Sequence, residues 1–388
     1  MAPAMAELSV GIPTEAEPET RVAMVPLALP ALTGAGLRVV VAKGAGIAAG
    51  YPDSHYEEKG AALGSEEEAW KCDVVLRIRA LGGTGGKLGA GQSLIGVCGA
   101  LFAPPALADV ARQGATVFAL ELIPRIARAQ SMDVLSSQAT VAGYRAVLLA
   151  AAALPKLFPM LTTAAGTVAP ARVLVVGAGV AGLQAIATAR RLGALVDAYD
   201  VRPAVKEQVQ SLGARFVELP IETAGADGGG GYAQAQDEAF YRHQQELMAR
   251  VVAASDVVVT TAAVPGQAAP KLLTAAMVEG MQPGSVVVDV VADQGGNCEL
   301  TRPGETVVHQ GVTIIGHNNL PATAPFHASQ FYARNISSFL VHLVKDGALH
   351  IDLDDEITRE TLVARGGEIV NPRVRQAFGL SPAAEAAS

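Results

Sequence analysis

The stretch VLVVGAGVAGLQ constrains this chain more than any other. A β-rich apolar run enters three glycines, Gly177, Gly179 and Gly182, spaced G-x-G-x-x-G, and a helix-compatible segment follows. Such a spacing alone is a weak signal, but between a strand and a helix start it is a strong one. Gly177 permits the tight turn, Gly179 lets the backbone approach a pyrophosphate, and Gly182 allows the helix to lie close against the strand. Ala178 and Val180 complete the same turn. The helix N-terminus then offers unpaired N–H groups and the positive end of its dipole to phosphates. A second strand, LVDAYD, ends on Asp200, 18 residues after Gly182. A carboxylate there accepts both hydroxyls of an adenosine ribose and repels a 2′-phosphate, which favours NAD(H) over NADP(H). Arg202, two residues on, works against that preference. The plainer alternative is a glycine turn with a chance acid.

The motif sits within a second of two β/α series. Residues 8–122 alternate short apolar strands (LSVGIP, LRVVVAK, DVVLRIR, SLIGVCG, ATVFALEL) with helix-compatible segments, and a similar alternation restarts at Arg172. Continuous rather than alternating apolar strands imply sheets covered on both faces. Scarce aromatics and abundant Ala, Val, Leu and Gly suit close helix-on-sheet layers. At 388 residues there is room for two domains. The expected fold class is α/β, with two doubly wound parallel-sheet (Rossmann-like) domains and a cleft between them. Residues 1–136 with about 325–388 form one domain and 137–324 the other. A long helix is expected from about Ser137 to about Leu154, and TTAAGTVAPA is expected to follow as a connector. The final helix, FHASQFYARNISSFLVHLV, is expected to cross back to the first domain.

A formal charge of −8 without a basic cluster argues against nucleic acid as a partner. Cys72, Cys98 and Cys298 form no paired spacing, so neither a disulfide framework nor a metal site is expected, which fits a reducing cytoplasm. The N-terminus lacks the pattern of a secretory signal, and no uninterrupted apolar span of about twenty residues appears.

Further loops follow later strands, where open α/β sheets bind ligands: TTAAVPGQAAP, with Ala263 and Val264, then ADQGGN and GHNNLP. Each is equally readable as a plain turn. ETAGADGGGGYAQAQ is either a mobile flap carrying Tyr232 or a slack linker. The polar stretch RAQSMDVLSSQ separates two apolar elements, and an ordinary solvated turn is its plainest reading. A dehydrogenase acting on an alcohol or amine needs a general base near the nicotinamide. Of seven histidines only His317 lies at a suitable strand end, and a lone histidine is more often structural. Direct hydride transfer between two nicotinamides needs no base, only binding, orientation and exclusion of water.

Several blocks carry a resemblance: PRIARAQSMDVLSSQATVAGYRAV, FPMLTTAAGTVAPARVLVVGAGVAGLQAIATARRLGA, DVRPAVKEQVQSLG and PGSVVVDVVADQGGN. Together they resemble the NAD(H)-binding (alpha-1 type, domain I) subunit of proton-translocating nicotinamide nucleotide transhydrogenases over roughly residues 8–350. The resemblance implies an NAD(P)⁺ transhydrogenase subunit. Hydride passes from NADH on this chain to NADP⁺ on a partner subunit, coupled to proton movement by a separate membrane subunit. It also implies a homodimer, cytoplasmic and peripheral on the inner face of the cytoplasmic membrane through its partners. By resemblance Arg125, Asp133 and Ser136 hold the nicotinamide carboxamide, and Gln130 reaches the nicotinamide ribose and the partner's nucleotide. Arg125, Gln130 and Asp133 are thereby the candidate catalytic residues. Asp200 matches the ribose acid and Tyr232 the tyrosine of a mobile loop. The chain stops at LSPAAEAAS, which implies separate membrane and NADP(H)-binding subunits.

Alanine dehydrogenase is the nearest related family. Its pattern is matched by Arg21 and Asp293, but it requires a lysine where this chain has Arg79 and a histidine where it has Gly99. Glycine takes no proton and guanidinium substitutes poorly for lysine, so oxidative deamination is disfavoured. A non-catalytic NAD(H)-sensing module is the third alternative; sensing alone has no need of a loop that orients the ring.

Overall fold

The computed structural model describes residues 7–84, 86–102, 104–218, 238–264 and 266–381. The chain divides into two compact units, Met1–Gln138 with Ala324–Ser388, and Ala139–Thr323.

The first unit is built on an eight-stranded sheet. Across it lie Glu368–Ile369, Leu362–Arg365, Thr116–Ala119, Ser93–Val97, Val74–Arg79, Ser9–Ile12, Arg38–Ala42 and Ala62–Gly64. Six strands run parallel, and the two from the end of the chain add an antiparallel edge. The central parallel strands are buried on both faces, as Val74–Ile78 shows, its one charged residue, Arg77, included. A helix from Pro325 to Leu343 completes this core: Tyr332, Ala333, Ile336, Phe339, Leu340 and Leu343 lie in it beside Met24, Leu29 and Phe118. Each large apolar side chain of this kind contributes about 1.5–3 kcal/mol on burial.

The second unit carries a seven-stranded sheet ordered Arg215–Phe216, Leu195–Tyr199, Arg172–Val176, Val257–Thr260, Val286–Asp289, Val312–Ile315 and Thr306–His309. All pairs are parallel except the last, an antiparallel edge. The helix Val134–Ala153 runs into this unit, where Ala142, Ala146, Val147 and Ala150 are buried. Small residues are needed there, because a Cβ at Gly143 would stand 2.0 Å from the Ala181 carbonyl oxygen.

One local expectation changes, and two gain detail. The connector carries a hairpin, Leu161–Thr163 with Gly166–Val168. The polar stretch after Arg125 is not an open turn: Ala127–Met132 is a 3-10 helix, and the long helix starts at Val134. Each parallel sheet also carries an antiparallel edge. Among the described residues no helix is long and apolar enough to cross a membrane.

Candidate functional site

In the second unit, Arg172–Val176 lies between Leu195–Tyr199 and Val257–Thr260, so the strand order reverses on its two sides. Beyond the carboxyl ends of the strands at such a reversal, doubly wound sheets open a ligand crevice. Here the glycine turn begins. Gly177 has φ +98°, donates its N–H to the Tyr199 carbonyl (2.8 Å), and would bring a Cβ within 2.7 Å of Thr261 Oγ1. Gly182 would bring one within 1.8 Å of the Gly177 carbonyl oxygen. Both glycines are therefore demanded by the chain's own packing.

Gly179 is different. Its φ of −77° and ψ of −165° suit any residue. A Cβ there would meet no atom nearer than Arg202 Nη2, at 4.0 Å. Nothing in the described chain requires the missing side chain. Gly179 precedes the twelve-residue helix Val180–Arg191, whose first N–H groups lack helical acceptors. Bare backbone at that place can accept an anion that must come close.

Asp200 directly follows the next strand, Leu195–Tyr199. Its Oδ2 accepts the Ala178 N–H at 2.7 Å and Arg202 Nη2 at 2.9 Å, while its Oδ1 accepts Arg202 N and Nε at 2.9 Å. The predicted acid and the predicted opposing arginine are thus joined in one nearly buried pair. Thr261 Oγ1 donates to the Gly177 carbonyl (3.0 Å) across the crevice. The loop with Ala263 and Val264 is fastened by Asn297, which accepts the Ala262 N–H (3.0 Å) and donates to the Ala262 and Pro270 carbonyls (2.9 and 2.8 Å). Asn297 is fully buried. Nothing in the string ADQGGN singles this asparagine out. His317 Nδ1 accepts the Asn319 N–H (3.0 Å), and burial and Arg145 hold the imidazole's pKa down. A neutral ring in that tautomer carries its proton on Nε2 and makes a poor base there.

In the first unit, Asp133 and Ser136 come together. The Asp133 carboxylate accepts the Ser136 N–H (2.9 Å) and hydroxyl (2.6 Å), capping the helix that starts at Val134. Arg125 and Gln130 are exposed. Arg21 forks onto Glu19 (2.7 and 2.8 Å) and donates to Gln138 Oε1 (2.6 Å), with Arg79 3.4 Å from the same Glu19 carboxylate. Gly99 has φ +60°. Asp293 lies in the second unit, in the turn Ala292–Gln294. Tyr232 and the glycine run lie outside the described residues. Among the described residues no cluster of three or more His, Cys, Asp or Glu could hold a metal.

Two family descriptions match this chain: "Alanine dehydrogenase/PNT, N-terminal domain" over residues 11–142 and "Alanine dehydrogenase/PNT, C-terminal domain" over residues 146–372. The chain belongs to the alanine dehydrogenase/PNT family. Among family members it is 44% identical to an NAD(P) transhydrogenase subunit alpha chain of Rhodospirillum rubrum, over 94% of this chain and 98% of that one. It is 30% identical to alanine dehydrogenase of Halomonas elongata, over 96% and 97%. A solved family structure, transhydrogenase from Sinorhizobium meliloti, superposes with a TM-score of 0.82 at 42% identity, covering 94% of this chain and 99% of that one.

Proposed function

We infer that this chain is the NAD(H)-binding alpha component of an NAD(P) transhydrogenase, passing hydride between NADH held here and NADP⁺ held by a partner subunit. The higher identity to the transhydrogenase subunit than to alanine dehydrogenase supports this branch, as does Gly99 where a proton-transferring histidine is wanted. The observation that carries the reading is Gly179, a residue kept bare although no described atom of the chain crowds it.

The bound dinucleotide supplies the hydride, and that step moves no proton, so no side chain must act as acid or base. The protein's task is to bind and orient. The N–H groups at the start of Val180–Arg191 take the pyrophosphate. Asp200, with its Arg202 contacts rearranged, receives the adenosine ribose hydroxyls, and Ala178, Val180, Ala263 and Val264 line the site. We assign the carboxamide to Arg125, Asp133 and Ser136, whose donors and acceptors match an amide, and the second nucleotide's approach to Gln130. Tyr232 is assigned to a closing loop. Proton translocation belongs to a separate membrane subunit, and through these partners the chain sits peripherally on the inner face of the cytoplasmic membrane. Self-association as a homodimer is supported by the hairpin region, where Leu157, Met160, Leu161 and Val168 are exposed.

The test is reconstitution. Mixed with an NADP⁺-loaded partner subunit, the protein should oxidise an NADH analogue without added alanine, and should bind NADPH weakly because Asp200 opposes a 2′-phosphate. Alanine-dependent reduction of NAD⁺ by the isolated protein would transfer the reading to the other branch of the family.

A further inference from the structure

Gln130 stands exposed on the 3-10 helix Ala127–Met132, and the residues around it are fastened down. Ala129 and Met132 are buried in the core of the first unit. The segment that returns after residue 324 holds the residues two before Gln130 and next after it. Arg128 Nη1 donates to Asp355 Oδ1 at 2.5 Å. Asp355 is itself fixed by the Thr358 N–H and hydroxyl, each at 2.8 Å, and by His342 Nε2 at 2.9 Å. The Ser131 carbonyl accepts Asn335 Nδ2 at 2.8 Å.

Asn335 is more than nine-tenths buried in the helix Pro325–Leu343, and its Oδ1 has no hydrogen-bond partner. A buried acceptor without a donor destabilises a fold, so an apolar side chain of similar size would be tolerated better. The amide's one visible return is the bond from its Nδ2 to Ser131.

We propose that Asn335 and the Arg128–Asp355 pair are positioning residues for hydride transfer: they lock the backbone on either side of Gln130 so that its amide is presented in one orientation. This rests on the function proposed above, in which Gln130 meets the partner's nucleotide. A 3-10 helix of six residues has poor internal hydrogen-bond geometry and does not hold its shape unaided. Transfer between two rings is sensitive to displacements of about 1 Å.

The decisive variant is Asn335→Leu, which removes the donor and the orphaned acceptor together. In the complex with the NADP⁺-loaded partner subunit, the transfer rate should fall about tenfold to hundredfold. The Kd for NADH and the melting temperature should stay at wild-type values, which a merely structural role would not leave untouched. A wild-type rate at wild-type melting temperature overturns the proposal. If Asn335→Leu does not fold, Arg128→Gln at the half-exposed side of the pair decides: a several-fold loss of rate, partly regained in Arg128→Lys, supports the assignment, and an unchanged rate overturns it. A wild-type protein that binds NADH yet transfers nothing to the loaded partner defeats the function reading instead, and this proposal with it.

Discussion

The two sheets share a topology and use it in opposite ways. In each, the first strand lies where the winding reverses: Ser9–Ile12 between Arg38–Ala42 and Val74–Arg79, and Arg172–Val176 between Leu195–Tyr199 and Val257–Thr260. After its first strand the first unit sends out carboxylates. Glu15 accepts the Ile78 N–H at 2.6 Å and pairs with Arg77 at 2.8 Å, and Glu19 pairs with Arg21. The second unit sends out bare backbone at Gly177, Gly179 and Gly182. Ion pairs of the chain itself fill the ground after one first strand, and bare backbone stands after the other, where the dinucleotide is proposed to bind. Topology offers a place to bind; the residues after one strand decide whether anything can enter.

Breaking the pairs in the filled crevice should have the largest effect. Glu15→Ala leaves the buried Arg77 guanidinium without its carboxylate, and about 3–5 kcal/mol of stability should be lost in urea unfolding. Dinucleotide affinity of the molecules that remain folded should not change; a parallel loss of affinity would show that both crevices serve the ligand.

Gly179→Ala sharpens the contrast from the other side. Its added methyl group meets only open space in the protein, so unfolding should shift by less than about 0.5 kcal/mol, while NADH affinity should fall about tenfold, or ~1.4 kcal/mol. Gly182→Ala should do the reverse, damaging the fold through its contact with the Gly177 carbonyl. Calorimetric titration beside thermal melts separates the two, and equal behaviour of the two variants would remove Gly179 from the phosphate cradle.

The smallest effect concerns pH. Burial pushes the Glu121 carboxyl up, although it accepts the Cys98 and Ala100 N–H groups at 3.0 and 2.8 Å. An acid raised in the folded state ionises first in the unfolded chain, so its contribution falls as pH rises from the ordinary glutamate range through the folded value. Glu121→Gln should flatten stability against pH across that window by about 1 kcal/mol or less. An unchanged slope would show that other groups set it.

What can be read from sequence follows from how local each feature is. The apolar runs RVLVV and SVVVD announce buried parallel strands, and Gly177 to Gly182 announce a tight turn from strand to helix, because each signal lies within a dozen residues. The strands Leu362–Arg365 and Glu368–Ile369 give no such signal: both are short, the first forms by pairing onto Thr116–Ala119, far away in sequence, and the second pairs only onto the first. The polarity of RAQSMD hides a 3-10 helix whose Ala129 and Met132 point inward. Asn297 and Asn335 are illegible for a further reason. Each acts on backbone groups that only the finished fold brings near, as the 204 residues separating Asn335 from Ser131 illustrate. Asp200 and Arg202 are both visible in sequence, but their mutual pairing is not.

The helix Pro325–Leu343 bears on how the protein is made. Its Phe339 packs edge-on against Phe118 at 5.7 Å, and its Tyr332 hydroxyl donates to the Arg77 carbonyl at 2.7 Å. On the ribosome these partners emerge more than two hundred residues before the helix that covers them. The second unit, continuous from Ala139 to Thr323, has its whole length available while the first still lacks a wall. Synthesis order and completion order are therefore inverted, and the nascent polypeptide must shelter a raw greasy surface until its closing segment arrives.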